Sequence, residues 1–217
     1  MAEHLVEERR RILKAALGHA AFDGWAVALT RAVSDCGYDR SMAARAFPGG
    51  TAELIEFYMA ESDREMLAAL AELDLDELRI RERIARAVRT RLEAVAGQRE
   101  AIRRALAFQM LPGQNARALR GLYRTVDAIW RACGDTATDF NFYTKRMLLA
   151  GVQTSTLLYW LGDRSEGHAD TWSFLDRRIG DVMRIGKGIA QAKDVGGMLA
   201  KFPSPFRFAR HVRRGAP

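Results

Sequence analysis

The chain has 217 residues, of which 48% are hydrophobic and 28% are charged, and its formal net charge is +7. This balance is typical of a folded domain that buries a core, and it excludes an intrinsically disordered chain. The only cysteines, Cys36 and Cys133, lie far apart in the sequence, so a disulfide scaffold and a zinc ribbon are poorly supported. No run of about 18 apolar residues occurs, and the N-terminal segment carries acidic residues, so we expect neither a membrane-spanning helix nor a signal peptide.

The positive charge is concentrated at the C-terminal end of the chain. Residues 184–217 contain eight Lys and Arg residues against one Asp, whereas residues 1–183 contain equal numbers of basic and acidic residues. A basic tail on a neutral body predicts a contact between the tail and an anionic surface. It does not favour a DNA-binding body, because such a body carries positive charge on the domain that reads the DNA.

Long stretches rich in Ala, Leu, Arg and Glu predict an all-α protein of about nine helices without strands. Thr51 and Thr136 are predicted as N-cap residues of the fourth and eighth helices, and the run 147–152 of the eighth is predicted to be buried on most sides. Apolar spacing, glycine stops and proline breaks place the nine helices at about residues 3–22, 27–36, 40–46, 52–73, 76–96, 98–111, 115–133, 137–161 and 169–186.

Sequence motifs for catalysis, metal binding and phosphate binding are absent. There is no HExxH, no Glu-x-x-His, no Walker A motif, no GxGxxG and no GxSxG. Cys36 and Cys133 occupy apolar helical positions, which favours buried, inert thiols. We therefore expect no enzyme activity, metal or cofactor, although a helical-bundle enzyme remains an alternative because acid–base pairs need no sequence adjacency.

The first helices resemble the DNA-binding head of TetR-type regulators. The resemblance rests on Ile12-Leu13-Lys14-Ala15-Ala16, on Cys36-Gly37 at the turn before the third helix, and on Phe47 followed by Glu53-Leu54. DNA binding is nevertheless not favoured, because residues 1–60 hold seven basic and eight acidic residues and phosphate neutralisation supplies most non-specific DNA affinity. A TetR-type transcription regulator that binds DNA through residues 1–50 remains the alternative interpretation.

Residues of roughly 8–186 resemble a more specific family, the lipid-binding accessory proteins of ubiquinone biosynthesis, the ninth member of the coenzyme Q protein series. One departure is Phe142, where this family usually has Trp. The matching blocks are Ala46-Phe47-Pro48-Gly49-Gly50 with Glu53-Leu54-Ile55; Met110-Leu111-Pro112 with Asn115; Asp127-Ala128-Ile129-Trp130 with Gly134-Asp135; Thr138-Asp139-Phe140-Asn141-Phe142-Tyr143-Thr144-Lys145-Arg146; and Asp170-Thr171-Trp172-Ser173-Phe174-Leu175.

The resemblance implies a TetR-like helical homodimer that no longer binds DNA. It also implies an apolar pocket for isoprenoid quinone precursors, and presentation of these lipids to a partner, the demethoxyubiquinone hydroxylase. The protein itself would not be catalytic. The partner-binding residues implied by the family blocks are Met110, Leu111, Pro112, Asn115, Asp135, Asp139, Asn141, Phe142 and Tyr143.

The composition of the last three predicted helices agrees with an apolar ligand, because a polyprenyl tail needs an apolar slot. For any one of these side chains, ordinary core packing is the competing interpretation. The candidate lipid-binding residues are Trp130, Phe140, Met147, Leu148, Tyr159, Trp160, Trp172 and Phe174.

The tail combines basic and aromatic residues, which favours contact with an anionic membrane surface over the alternative of a disordered, solubilising tail. The glycine pair at Gly196-Gly197 and the prolines at Pro203 and Pro205 weaken a helix there. The candidate membrane-contacting residues are Lys193, Leu199, Lys201, Phe202, Phe206, Arg207, Phe208 and Arg210.

The predicted organisation has three parts. Residues 1–50 form a degenerate helix-turn-helix-like head, residues 51–186 form a helical domain for lipid binding and dimerisation, and residues 187–217 form a basic amphipathic tail. Because no targeting segment is visible, the expected location is the bacterial cytoplasm, in peripheral association with the inner membrane.

Overall fold

The computed structural model describes residues 2–135 and 140–194, and the all-α prediction is confirmed for them. No strand occurs in these two ranges. Their nine α-helices are α1 (Ala2–Asp23), α2 (Trp25–Asp35), α3 (Ser41–Ala46), α4 (Gly50–Ala71), α5 (Ile80–Ala94), α6 (Arg99–Gln109), α7 (Asn115–Ala132), α8 (Phe140–Gly162) and α9 (Ala169–Asp194).

Several predicted site residues lie outside this description. The side chains of 140–142 and 185–194 are not described, so Phe140, Asn141, Phe142 and Lys193 are placed by backbone alone. The remaining predicted residues outside the described ranges are Asp139, Leu199, Lys201, Phe202, Phe206, Arg207, Phe208 and Arg210, together with the predicted N-cap Thr136.

Two units are distinguished in the chain, with the boundary between Arg177 and Arg178. The helix α9 begins in the first unit and continues to Asp194, so the prediction that this helix ends near Gly186 is wrong. A glycine inside a helix costs only about 1 kcal/mol relative to alanine, so Gly186 and Gly188 do not suffice to stop it. The predicted domain boundaries after residues 50 and 186 remain predictions.

The first three helices are packed around a small apolar core. Ile12 and Ala16 of α1 and Ala32 of α2 are fully buried, and α1 packs along α2. Gly24 joins these helices with a φ of +80°, a left-handed conformation that residues with a side chain rarely adopt. Trp25 ties the head to the body, because its indole Nε1 donates to the carbonyl of Ala101 in α6 at 2.9 Å.

Two predicted helix starts are wrong. Helix α4 begins at Gly50, so Thr51 lies inside it, and the backbone N–H of Gly49 donates to the Glu53 carboxylate at 2.8 Å. Helix α5 begins at Ile80 rather than near Asp76, and the backbone N–H of Arg79 donates to the Glu82 carboxylate at 3.0 Å. In both cases a glutamate in the first turn accepts a hydrogen bond from the backbone just before the helix. This cap, and not Thr51 or Asp76, determines where the helix begins.

A buried ion pair holds α4, α5 and α7 together. Arg91 of α5 donates through Nε to Oδ1 of Asp63 in α4 at 2.8 Å, and both residues are buried. Thr125 of α7 donates its hydroxyl to the same carboxylate at 2.9 Å. Every group of this cluster therefore has a partner, which is the condition under which a buried charge is tolerated.

Candidate functional site

Helices α7 and α8 are joined at one end by a cluster of ion pairs. Arg146 of α8, which is 3% exposed, contacts Asp127 of α7 at 2.7 Å and Asp135 just after α7 at 3.3 Å. Lys145 contacts Asp135 at 2.7 Å and also lies 5.5 Å from the centre of the Trp130 ring. The cluster fixes the register of α7 against α8 on this side of the body.

The other end of α8 is fixed by Asp163. Its carboxylate accepts hydrogen bonds from the backbone and the hydroxyl of both Ser165 and Thr171, at 2.5–3.0 Å. Burial opposes the charge of Asp163, but these four hydrogen bonds outweigh burial and hold the pKa of the carboxyl well below its ordinary value. The guanidinium of Arg99 donates to the carbonyls of Trp160 and Asp163, which ties α6 to this corner.

The predicted lipid-binding residues whose side chains are described differ widely in burial. Trp160 is fully buried and Trp130 is 8% exposed, whereas Met147 is 73% exposed, so the predicted burial of the run 147–152 is wrong on that side. The helical period explains this, because Leu149 and Val152 alone turn inward. Leu148 is half-buried.

Three of the predicted aromatic residues lie near the junction of α8 and α9, where Tyr159 and Phe174 contact each other and Trp172 faces α5. Tyr159 stacks on Phe174 with ring centres 4.5 Å apart. Trp172 donates its indole N–H to the carbonyl of Gly167 at 2.8 Å and forms one wall of an open cleft of about 290 Å³ between α5 and α9. Arg89 lies over the Trp172 ring at 4.8 Å, so this cleft is partly polar.

The predicted partner-binding residues are divided between the surface and the interior. Met110 is 80% exposed and Leu111 is 51% exposed, and Pro112 and Asn115 beside them are also exposed. Tyr143 at the start of α8 is 65% exposed. Asp135 instead directs its carboxylate into the ion-pair cluster between α7 and α8.

Two further features were missed from the sequence. Leu119 and Tyr123 of α7 are exposed, at 66% and 46%. Gln153 and Thr156 of α8 are buried at 2% and 0%, and among the described residues no hydrogen-bond partner exists for Gln153 Oε1 or Thr156 Oγ1. The signal available for the second feature was spacing, since Gln153 and Thr156 follow Leu149 by four and seven residues and therefore share its buried side of α8.

The cysteines have different environments. Cys133 is buried at 1%, as predicted, and burial raises the pKa of its thiol to about 11. Cys36 is only half-buried, so its predicted burial is wrong, because it lies at the C-terminal end of α2 rather than inside the helix. Within residues 2–135 and 140–194 no group of three or more metal-ligating side chains occurs, and no helix there is long and apolar enough to cross a membrane.

The fold is that of a TetR-like helical protein. A crystal structure of a TetR transcriptional regulator from Nitrosomonas europaea matches with a TM-score of 0.68 over 82% of this chain and 98% of that chain. The two sequences are 23% identical, so the match establishes the fold alone.

Similarity to curated proteins defines the family. The ubiquinone biosynthesis protein COQ9, mitochondrial, is 35% identical in rat and 34% identical in human, in each case over 89% of this chain. The Xenopus laevis protein COQ9-B is 30% identical over 87% of this chain and 67% of its own length. The sequence profile of the COQ9 family matches residues 115–186. The chain belongs to the COQ9 family.

The chain spans 64% and 63% of the lengths of the rat and human relatives. The predicted location in a bacterial cytoplasm, at its inner membrane, is wrong, because these relatives are named as mitochondrial proteins. The prediction rested on the lack of a visible targeting segment in this sequence.

Proposed function

We propose that this protein works in ubiquinone biosynthesis without catalysing a step, by binding an isoprenoid quinone precursor and presenting it to the demethoxyubiquinone hydroxylase. The role in ubiquinone biosynthesis is supported by the names of its curated relatives. The lipid, the hydroxylase and the absence of catalysis are carried from the family resemblance. The observation that carries the presenting role is the exposed apolar turn at Met110 and Leu111.

The binding of an apolar ligand is supported by the composition of α7, α8 and α9. Trp130, Trp160 and Phe174 place aromatic surface in or beside the helical body. Aromatic and aliphatic linings are typical of sites for apolar ligands, where a few polar groups fix orientation. Ordinary core packing accounts for each aromatic ring alone, so the ligand must be tested directly.

The first experiment is native mass spectrometry, with organic extraction, of the protein purified from a host that makes quinones. A bound polyprenyl quinone or quinone precursor supports the proposal and identifies the cargo. Protein that carries no lipid, and that binds none when it is incubated with a polyprenyl quinone, contradicts the lipid-binding part.

The proposed partner surface has two parts, the turn before α7 and the start of α8, which the length of α7, about 27 Å, separates. Met110 and Leu111 expose adjacent apolar side chains in the turn, and Tyr143 exposes one at the start of α8; adjacent exposed apolar side chains mark an interaction site better than a single one does. Tyr and Met are enriched in the centres of protein interfaces. We take the hydroxylase as the partner that covers this surface.

A pair of charge substitutions tests this surface. Met110→Asp should abolish capture of the hydroxylase in a pull-down, because a carboxylate cannot be buried without a partner. Phe22→Asp is the matched control, since Phe22 is 81% exposed but lies at the end of α1. Equal capture by Met110→Asp and by the unmodified protein would contradict the assignment of the surface.

The same family resemblance carries two further proposals. Leu158 and Tyr159 are 59% and 40% exposed on α8, and we assign this face to contact with a second copy of the chain.

The basic tail from residue 187 is assigned to an anionic membrane surface on the basis of its sequence. A truncation after residue 186 that still sediments with anionic vesicles would contradict the second assignment.

A further inference from the structure

One face of α8 carries a row of buried polar atoms without partners. Gln153, Thr156 and Trp160 lie three and four residues apart, which places them on one side of the helix. They are 2%, 0% and 0% exposed. In the described part of the chain, Gln153 Oε1, Thr156 Oγ1 and Trp160 Nε1 have no hydrogen-bond partner. We call these three residues the α8 polar row.

The neighbouring residue Ser155 shows that a hydroxyl on α8 can form a hydrogen bond with a carbonyl of the preceding turn. The hydroxyl of Ser155 donates to the carbonyl of Gly151 at 2.7 Å, within its own helix. Thr156 has the same option toward its own preceding turn and does not use it. A buried polar atom without a partner is costly and rare in native proteins, so three in one row require an explanation such as a bound ligand.

A bare apolar stripe on α7 lies along the same seam. Leu119, Tyr123, Asp127 and Trp130 follow one another at spacings of four, four and three residues, so they share one face of α7. Asp127 and Trp130 are covered by Arg146 and Lys145 of α8. Leu119 and Tyr123, on the same face, are 66% and 46% exposed. The face is therefore covered at one end and open at the other.

The two features lie partly at the same level of the helix pair. The short connection between α7 and α8 makes these helices antiparallel neighbours, and Asp127 lies opposite Arg146. Seven residues in either helix span about 10 Å. Gln153 lies seven residues after Arg146 on α8. On the antiparallel α7, the position seven residues before Asp127 lies in the turn between Leu119 and Tyr123. The open stretch of α7 is therefore level with Gln153 and within one turn of Thr156, whereas Trp160 lies beyond the first residue of α7, beside His168 and Arg99.

We propose that the α8 polar row receives the oxygen-bearing ring of a quinone or quinol, which enters at the open stretch by moving α7 and α8 apart, since the atoms of the row are closed to solvent in this structure. This inference rests on the proposed lipid-binding function and names the group that the protein recognises. The indole N–H of Trp160 and the hydroxyl of Thr156 are donors for a ring carbonyl, and Gln153 Oε1 is an acceptor for a ring hydroxyl. The three side chains carry no charge of their own, which suits a neutral ring, and the Arg99 guanidinium lies 5.0 Å from the centre of the Trp160 ring.

The test compares two probes that share a tail and differ in the ring, decylubiquinone and decanol. Their dissociation constants are measured on the full chain by equilibrium dialysis. Thr156→Val keeps the shape of the side chain and removes the hydroxyl, and we expect it to raise the Kd for decylubiquinone about tenfold, which equals about 1.4 kcal/mol. The Kd for decanol should not change. Thr154→Val, on the exposed side of α8, is the matched control and should change neither value.

The outcomes separate this inference from the proposed function. If both probes bind and Thr156→Val leaves both constants unchanged, the ring does not contact the polar row and the inference is wrong, while lipid binding stands. If neither probe binds the unmodified chain, the proposed lipid binding and the inference both fail. A selective loss of decylubiquinone binding supports both. The melting temperature of ligand-free Thr156→Val should not fall, which excludes misfolding as the cause of a loss.

Discussion

Two groups of buried polar side chains, one around Asp63 and the other on α8, differ in whether their polar atoms are paired. Around Asp63, Arg91 and Thr125, charges and hydroxyl meet at 2.8–2.9 Å. In the α8 polar row, three polar atoms at similar burial have no partner among the described residues. Both groups lie in the same unit and are buried to a similar extent. A difference in burial therefore does not explain why one group is paired and the other is not.

The difference indicates two roles for buried polarity. A paired cluster contributes to the folded state, because its partners replace the water that each group has lost. An unpaired row reduces the stability of the folded state until something binds to it. Substitutions in the paired cluster should therefore destabilise the protein, whereas those in the unpaired row should leave stability unchanged or raise it.

The largest effect is expected for Arg91→Met. This substitution removes the 2.8 Å ion pair of the buried Asp63 carboxylate and leaves the half-exposed Arg124 at 3.7 Å, so it should lower the free energy of unfolding by about 3 kcal/mol. Urea denaturation followed by circular dichroism measures the change. Arg81→Met on the same helix is the control, because Arg81 is 56% exposed in its contact with Glu82, and such surface pairs contribute about 1 kcal/mol or less. Equal effects of the two substitutions would show that the buried pair contributes no more to stability than a surface pair does.

Asp163 is a second buried carboxylate with hydrogen-bond partners, and its contribution to stability should depend on pH. Asp163→Asn removes the charge that accepts hydrogen bonds from Ser165 and Thr171 and should cost about 2–3 kcal/mol at neutral pH. Because the pKa of Asp163 is lower in the folded protein than in the unfolded chain, its stabilisation is complete above about pH 4 and is lost as the pH falls below that value.

The measurement is the free energy of unfolding between pH 5 and pH 2. The unmodified protein should lose stability more steeply over this range than Asp163→Asn, since the variant has no carboxylate to protonate at that site. Parallel curves for the two proteins would show that the hydrogen bonds to Asp163 do not favour its charged form.

Much of the fold could be predicted from the sequence, because helical spacing and glycine stops act locally. The all-α class and most helix bounds were predicted to within a few residues, as for α7 and α8. The errors arose where a competing local signal prevailed, as when Glu53 and Glu82 capped helices that Thr51 and Asp76 were expected to begin. The burial of Met147 was predicted from mean apolarity, although the helical period decides it.

The candidate site was less predictable, because it depends on contacts between distant parts of the chain. Family resemblance pointed to Met110 and Leu111, and the structure exposes both. Nothing local distinguishes Thr125, whose hydroxyl is paired with Asp63, from Thr156, whose hydroxyl has no partner among the described residues. Only the packing of helices against one another separates these two threonines.

The two threonines therefore allow the same substitution to be made in each environment. Thr125→Val removes a hydroxyl that donates to the Asp63 carboxylate, and it should lower the free energy of unfolding by about 1–3 kcal/mol. Thermal unfolding of the ligand-free protein measures the loss. An unchanged melting temperature would mean that the Asp63–Arg91 pair is sufficient without this hydroxyl.

The smallest expected effect has the opposite sign. Thr156→Val replaces a buried hydroxyl that has no partner in the described part of the chain by a methyl group of similar size, so the desolvation cost of the hydroxyl disappears. We expect a gain of about 1 kcal/mol in the ligand-free protein, which raises the melting temperature of a chain of this length by about 2–4 °C. A loss equal to that of Thr125→Val would show that the Thr156 hydroxyl is paired within the folded chain, and the α8 polar row would then be structural.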